Sequence, residues 1–448
     1  MTKKFSFNDT FDSMDKSKLI HFWIPQSQRK PIFLVQGKDC YVEDASGKKY
    51  LDFMSGTYNV ALGHQNEEII ASMREQLDNI VTYSSEFAYI PTVLLAQKLL
   101  EKLPAKYAKM SLQCNGTDAV EAAFMIVRQI SGKRCIISEW LSFHGSSSET
   151  LCSGGFIGNG HPPNVIGHMH VFPCYCYRCP FSKDEYPECN LGCAHFLEKT
   201  IESAGANQIA AVLVEPILGS IVNDPPTEYL KALKEICQKH SIFLIADEVL
   251  TGFGRTGKLF CFEHSGILPD IIIAGKALTS GYAPLSATII SGEIAEFYEN
   301  KPFEYGLTYG GNPLSCSAAL ATLKYFDEHN VIENAKEIGL YLKERLLEMQ
   351  SDHPCIGQIR GRGSLIGIEL VRNRSTKQPF TDNFVSREDV GAYLVRTEAL
   401  KRGLIVDKGL SDNVILAPPL IVTREECDIA LGILDNVLTT VDSQIKTV

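Results

Sequence analysis

The chain has 448 residues, 45% hydrophobic and 21% charged, which is enough for a large core and roughly two to three domains' worth of chain. A net charge of −10 gives no electrostatic basis for nucleic-acid binding or a polybasic membrane contact. No apolar run approaches the roughly 18–20 residues that span a bilayer, and the N-terminal MTKKFSFNDTFDSMDKSK mixes charges without an apolar h-region. The expectation is therefore a cytoplasmic protein whose fourteen cysteines are mostly reduced.

In chain order, residues 32–54 read as short β runs split by Gly-Lys and Ser-Gly turns. A helical pattern begins near 65, with Ile69, Ile70, Met73 and Leu77 on one face. Helices and short apolar strands then alternate to about residue 325. The clearest strands are 135–138, 210–216, 242–248, 270–275 and 284–291. Continuous apolar runs separated by helices predict a mostly parallel sheet covered on both faces, an α/β fold. Helices at 314–327 and about 331–350 lead to a smaller α+β domain with a strand at 364–371, a helix around 386–401 and a closing helix from about 424. The expected division is an N-terminal segment 1–60, a large domain 61–330 and a small C-terminal domain 331–448.

In open α/β sheets ligands sit beyond the carboxyl ends of the strands. Glu215, Asp247 and Lys276 each stand at such an end. One polar residue after a buried strand is ordinary, but three whose chemistries complement one another point to a site. A lysine forms an imine with an aldehyde cofactor, and a buried carboxylate holds a pyridine nitrogen protonated, so that the ring withdraws electrons from the neighbouring carbon. Asp247 suits the carboxylate role and Lys276 the imine, and the freed lysine is then the nearby base. Gly116 and Thr117, at the start of an apolar-periodic helix, offer backbone donors for a phosphate, although Gly-Thr-Asp alone is also an ordinary helix cap. The loop GFGRTGKL (252–259) matches G-x-G-x-x-G, but DEVLT separates it from the strand and no helix start follows. Leu259 also stands where a P-loop needs Ser or Thr. Both nucleotide readings are rejected.

The stretch IADEVLTGFGRTGKLFCFEHSGILPDIIIAGKALTSGYAPLSA resembles the central motif of the class III (subgroup II) aminotransferases. Further matches run from DASGKKYLDFMSG through NGTDAVEAA, FHG, VEPILG and YGGNPLSCSAAL to RGRGSLIGIEL and APPLIVT, covering nearly the whole chain. The resemblance implies a type I pyridoxal-phosphate-dependent fold, a homodimer with active sites shared across its interface, and pyridoxal 5'-phosphate on Lys276 as a Schiff base. It further implies that Gly116 and Thr117 bind the phosphate, that Phe143 and Val249 take the two ring faces, and that Asp247 pairs with the ring nitrogen. Glu215 would lie towards the substrate, and Thr308 would reach the phosphate from the partner subunit.

The chain departs from the family at two carboxylate clamps. Ile415 and Ser146 occupy positions where many members carry arginine. An ω-amine, taurine-like or β-amino donor is the better expectation, or a carboxylate held by another arginine such as Arg362 or Arg396, with a keto acid as acceptor. The same fold also hosts racemases, decarboxylases and lyases, which share the lysine and aspartate, so these remain alternatives to transamination. Finally, Cys176, Cys179, Cys189 and Cys193, with Cys174 beside them, have spacings that could hold zinc or could be reduced thiols packed in a loop.

Overall fold

The computed structural model describes residues 9–84, 86–155, 165–182, 184–381, 388 and 390–445. Its centre is a seven-stranded sheet in the order Tyr107–Gln113, Ser286–Ser291, Ile271–Ala274, Phe243–Asp247, Ile209–Val214, Cys135–Glu139 and His168–Val171. Ser286–Ser291 runs antiparallel to both neighbours, and the other pairs are parallel. The inner strands Ile209–Val214 and Ile271–Ala274 are buried along their whole length. That is why they read as continuous apolar runs rather than as alternation. The two edge strands, Tyr107–Gln113 and His168–Val171, are only partly buried and carry polar residues, so they gave no such signal.

Side chains alternate across the sheet. Ala211 and Leu213 pack with Val120, Phe124 and Val127 of the helix Gly116–Ser131. Val212 and Val214 pack on the opposite face with Leu197 and Leu233, from the helices Gly192–Ala204 and Thr227–Lys239. The sheet is thereby covered on both sides, as its sequence pattern predicts.

The helix Pro313–Glu328 leads through two residues into Val331–Asp352 and the C-terminal part of the chain. There Ile356–Arg362, Leu365–Leu370, Asn413–Leu416 and Asp407–Lys408 form an antiparallel sheet. Its core includes Leu342 and Leu346 from the first of its helices, Val395 from Gly391–Lys401 and Leu434 from Arg424–Ile445. The beginning of the helix expected around 386 lies outside the described residues. Three N-terminal strands, Leu34–Lys38, Tyr41–Asp44 and Lys49–Asp52, pair in sequence, and the last is joined in parallel by Leu404–Ile405. Cys40, Leu51 and Phe53 accordingly pack in the same core as the C-terminal helices. Among the described residues, no helix is long and apolar enough to cross a membrane.

Candidate active site

Glu215 follows the strand Ile209–Val214, Asp247 ends Phe243–Asp247, and Lys276 follows Ile271–Ala274 after one glycine. Lys276 has a φ of +42°. For a residue with a side chain this left-handed conformation costs on the order of 1–3 kcal/mol and persists only where the surroundings enforce it, often at functional sites. The half-buried lysine makes no hydrogen bond or ion pair among the described residues, and its Nζ lies over the Tyr58 ring, 5.6 Å from the centroid. Burial lowers its pKa, opposed by the charges of Asp247 and Glu215 and reinforced by that of Arg255.

Asp247 is held from two sides. Its Oδ2 lies 2.7 Å from His144 Nδ1, and its Oδ1 accepts the Val249 N–H at 3.1 Å. Burial works to lower the His144 pKa, but the bond to Asp247 and its negative charge outweigh this and raise it. His144 Nε2 is buried without a hydrogen-bond partner among the described residues. Nearby, Glu139 is pushed up to about 7 by burial and accepts a 2.9 Å hydrogen bond from Tyr229 Oη.

Glu215 uses both carboxylate oxygens on the backbone: Oε1 accepts from Phe143 N–H and Oε2 from Gly219 N–H, each at 2.9 Å. It therefore fixes the chain at Phe143, whose ring also meets Trp23 edge-on at 5.8 Å. Burial raises the Glu215 pKa.

The helix Gly116–Ser131 starts against Val249. A Cβ at Gly116 would stand 3.2 Å from Val249 Cγ1, so glycine is what allows the helix N-terminus to come this close. Asn115 caps the helix by accepting from Asp118 N–H. The N–H groups of Gly116 and Thr117 have no acceptor among the described residues. Thr117 Oγ1 accepts from Ser146 N–H at 3.2 Å, and Gly145 (φ +140°) leaves room for that hydroxyl, since a Cβ there would lie 2.6 Å from it. Free donors at a helix N-terminus, a carboxylate at one strand end and a lysine at the next match the donor set of pyridoxal phosphate.

Thr308 is exposed in the loop before Pro313–Glu328. The glycine-rich loop 252–259 is followed by a short turn, Cys261–His264, and not by a helix. Its Arg255 is fully buried. There Nη1 donates to Ser364 Oγ (3.2 Å) and the Pro418 carbonyl, and Nη2 donates to Ser55 Oγ (3.2 Å). The loop thus ties the N-terminal segment to the C-terminal part beneath Lys276.

Of the clamp positions, Ile415 is buried in an apolar cluster against which Tyr58 packs, and Ser146 is exposed. Arg362 is committed to Asp224 at 2.7 Å. Arg396 is exposed, and its charge acts on the Tyr58 phenol, which donates to Asp407 Oδ2. Cys176, Cys179, Cys189 and Cys193 line a cavity of their own together with Cys174.

Comparison with known proteins settles the family. The family model described as "Aminotransferase class-III" matches residues 24–438. The chain belongs to the class III aminotransferases. Taurine–pyruvate aminotransferase of Bilophila wadsworthia is 31% identical over 96% of this chain and 97% of its own length. The leucine/methionine racemase of Thermococcus litoralis is 33% identical over 92% and 91%. An ω-transaminase from Pseudomonas jessenii, solved in complex with PMP, superposes with a TM-score of 0.91 at 28% identity over 97% of this chain and 98% of that one. The class III member described here is a pyridoxal-phosphate-dependent aminotransferase with the type I fold of that structure. Racemisation, open on sequence alone, is not the favoured reaction.

Sequence reasoning named Lys276, Asp247, Glu215, Gly116, Thr117, Phe143 and Val249, and these are linked by the contacts above. It did not single out His144, Tyr58, Asp407 or Arg255. His144 had a signal: it follows Phe143 in FHG, one turn after a buried strand. Tyr58 and Asp407 had none, because 349 residues separate them.

Proposed function

We propose that Lys276 is the covalent attachment point of pyridoxal phosphate and also the base that moves the proton during amino transfer. The observation that carries this is a half-buried amine with no ion-pair partner among the described residues, held in a strained backbone conformation, over the Tyr58 ring and within the field of Asp247. When bound, the protonated pyridine ring supplies an electron sink for the carbon bearing the amino group. Asp247 holds the proton on the ring nitrogen. His144 donates to Asp247 and orients it. The Gly116 and Thr117 N–H groups and the helix N-terminus bind the phosphate, while Val249 and Phe143 cover the two ring faces. Burial brings the Lys276 amine nearer to neutrality than a free lysine, which is the form that accepts a proton from the donor carbon.

We infer a homodimer in which Thr308 reaches the phosphate of the partner subunit's site. An exposed apolar surface supports this. Val81, Tyr83, Phe87, Ile90, Val93 and Tyr309 are exposed, and the two segments meet where Thr92 Oγ1 donates to the Gly311 carbonyl at 2.9 Å and Asn312 Nδ2 to the Val81 carbonyl at 3.4 Å. A cytoplasmic location fits the fourteen free thiols.

The donor reading is an ω-amine, taurine-like or β-amino compound. Ile415 and Ser146 offer no cation and Arg362 is occupied, whereas Arg396 is exposed, has no carboxylate partner among the described residues and acts on Tyr58, so it can meet an acidic group. A spectral screen tests it: the bound cofactor's visible band is followed as each amine is added, then a keto acid. ω-Amines or taurine should bleach the band and the keto acid restore it. If glutamate or ornithine is by far the best donor, this substrate reading is wrong.

A further inference from the structure

Five cysteines line one small cavity between the edge strand His168–Val171 and the helix Gly192–Ala204. Among the described residues no three of their sulfurs lie within 4.8 Å of one another, so the spacings that suggested zinc do not gather a ligand set. The cavity holds a row of three thiols instead. That of Cys174 is hydrogen-bonded to those of Cys176 and Cys193, which lie on either side of it. Its single proton serves one neighbour at a time.

The backbone on both sides of the row is anchored. The Cys174 carbonyl accepts from Asn223 Nδ2 at 2.9 Å, and Tyr175 Oη and Arg178 Nε both donate to Glu369. The three thiols differ in what can reach them: Cys174 and Cys193 are buried, whereas Cys176 is open to solvent. The hydrogen bond from Cys174 lowers the Cys176 pKa to about 7, against the effect of burial. It also lowers that of Cys193, which stands in the first turn of Gly192–Ala204, where the helix dipole favours a thiolate. The same two bonds raise Cys174 and keep it protonated. Buried thiols such as Cys237 and Cys355 are pushed up by burial, the state of an inert cysteine. A solvent-accessible thiolate beside a second thiol is the arrangement of an oxidant-reactive cysteine and its resolving partner.

We propose that Cys176, Cys174 and Cys193 form a thiol relay for hydrogen peroxide: Cys176 is oxidised first, Cys174 resolves it, and the disulfide comes to rest between Cys174 and Cys193. The Cys176 thiolate attacks one peroxide oxygen, the O–O bond breaks, and hydroxide leaves behind a sulfenic acid. That hydroxide takes the Cys193 proton through solvent and becomes water. The Cys174 sulfur then attacks the Cys176 sulfur and breaks its S–O bond, and the second hydroxide leaves as water with the Cys174 proton. The Cys193 thiolate finally attacks the Cys174 sulfur and releases Cys176 as a thiolate. Two thiols are oxidised and one peroxide is reduced to two waters. The last transfer is favoured because a bridge between residues two apart closes a tight, strained ring. The final bridge ties the segment after His168–Val171 to the first turn of Gly192–Ala204, and a thiol reductant reopens it. No step of amino transfer runs through it.

The test treats the cofactor-loaded, full-length protein with about one equivalent of hydrogen peroxide, alkylates it, and maps its disulfides by mass spectrometry without reductant. The expected result is a Cys174–Cys193 bridge that dithiothreitol removes. In C176S, which alters an exposed side chain, bridge formation at the same dose should slow by at least about tenfold, whereas C237S should match the wild type. In C174S, which has no resolving thiol, dimedone should trap a sulfenic acid on Cys176. If C174S does not fold, the wild-type map and C176S decide alone. A wild-type protein that keeps all its thiols at that dose overturns the proposal. So does a bridge between any other pair, Cys174–Cys176 included, a C176S variant that forms the bridge as fast as wild type, or a dimedone adduct on a different cysteine.

Discussion

The two walls around Lys276 are built differently. On the strand-end wall each polar group has a fixed partner: Asp247 on His144 and the Val249 N–H, Glu215 on the backbone of Phe143 and Gly219. On the facing wall, Tyr58 and Asp407 meet beside the exposed Arg396, whose charge is not paired with a carboxylate among the described residues. A pre-set wall suits the cofactor, which is the same in every turnover, because groups already oriented need no reorganisation. A wall with an uncommitted cation suits the part that differs between enzymes, the donor. Donor choice should accordingly be separable from chemistry.

Substitutions on the strand-end wall should have the largest effects. Lys276→Ala should lower amino transfer by about a thousandfold or more, measured as single-turnover loss of the cofactor band, since it removes the proton-moving group. Asp247→Asn keeps the shape and removes the charge, and a loss of about a hundredfold in kcat is expected, with weaker cofactor retention on dialysis. A kcat within a factor of two of wild type would mean that the ring nitrogen does not depend on Asp247.

His144→Gln should act through Asp247, with a smaller fall in kcat and a changed pH dependence. Because Asp247 raises the His144 pKa, the stabilisation from charged His144 is complete below its unfolded value of about 6.5 and fades as pH rises through the higher folded value. Denaturant unfolding across that range should show this loss in the wild type and not in the variant. An unchanged slope would mean that the pair does not titrate as described.

The smallest effect belongs to the facing wall. Arg396→Ala should raise KM several-fold for donors bearing an acidic group and leave both kcat and uncharged amines unaffected. Equal loss for all donors would make Arg396 a structural residue and erase the contrast between the walls.

The sequence reveals the two walls unequally, for a physical reason. Asp247 and Lys276 are legible because a buried parallel strand is a continuous apolar run, so its first polar residue marks the carboxyl end of the sheet. Gly116 is legible because a helix start has its own punctuation. The edge strands Tyr107–Gln113 and His168–Val171 are half-exposed and lose that signature. Tyr58 and Asp407 come from separate parts of the chain, joined only once the N-terminal strands close on Leu404–Ile405. Pairing at that separation leaves no local pattern. Arg255 was visible as part of a motif, but its role as the buried tie between Ser55, Ser364 and Pro418 follows only from packing.

The central claim concerns one nitrogen atom, and it can be read directly. The cofactor-loaded protein is reduced with borohydride, digested, and its peptides are weighed and sequenced by mass spectrometry. The account predicts the phosphopyridoxyl mass on Lys276 alone, abolished when an excess of good amine donor is added before reduction. The label on any other lysine, or none on a protein that transfers amino groups, would contradict it.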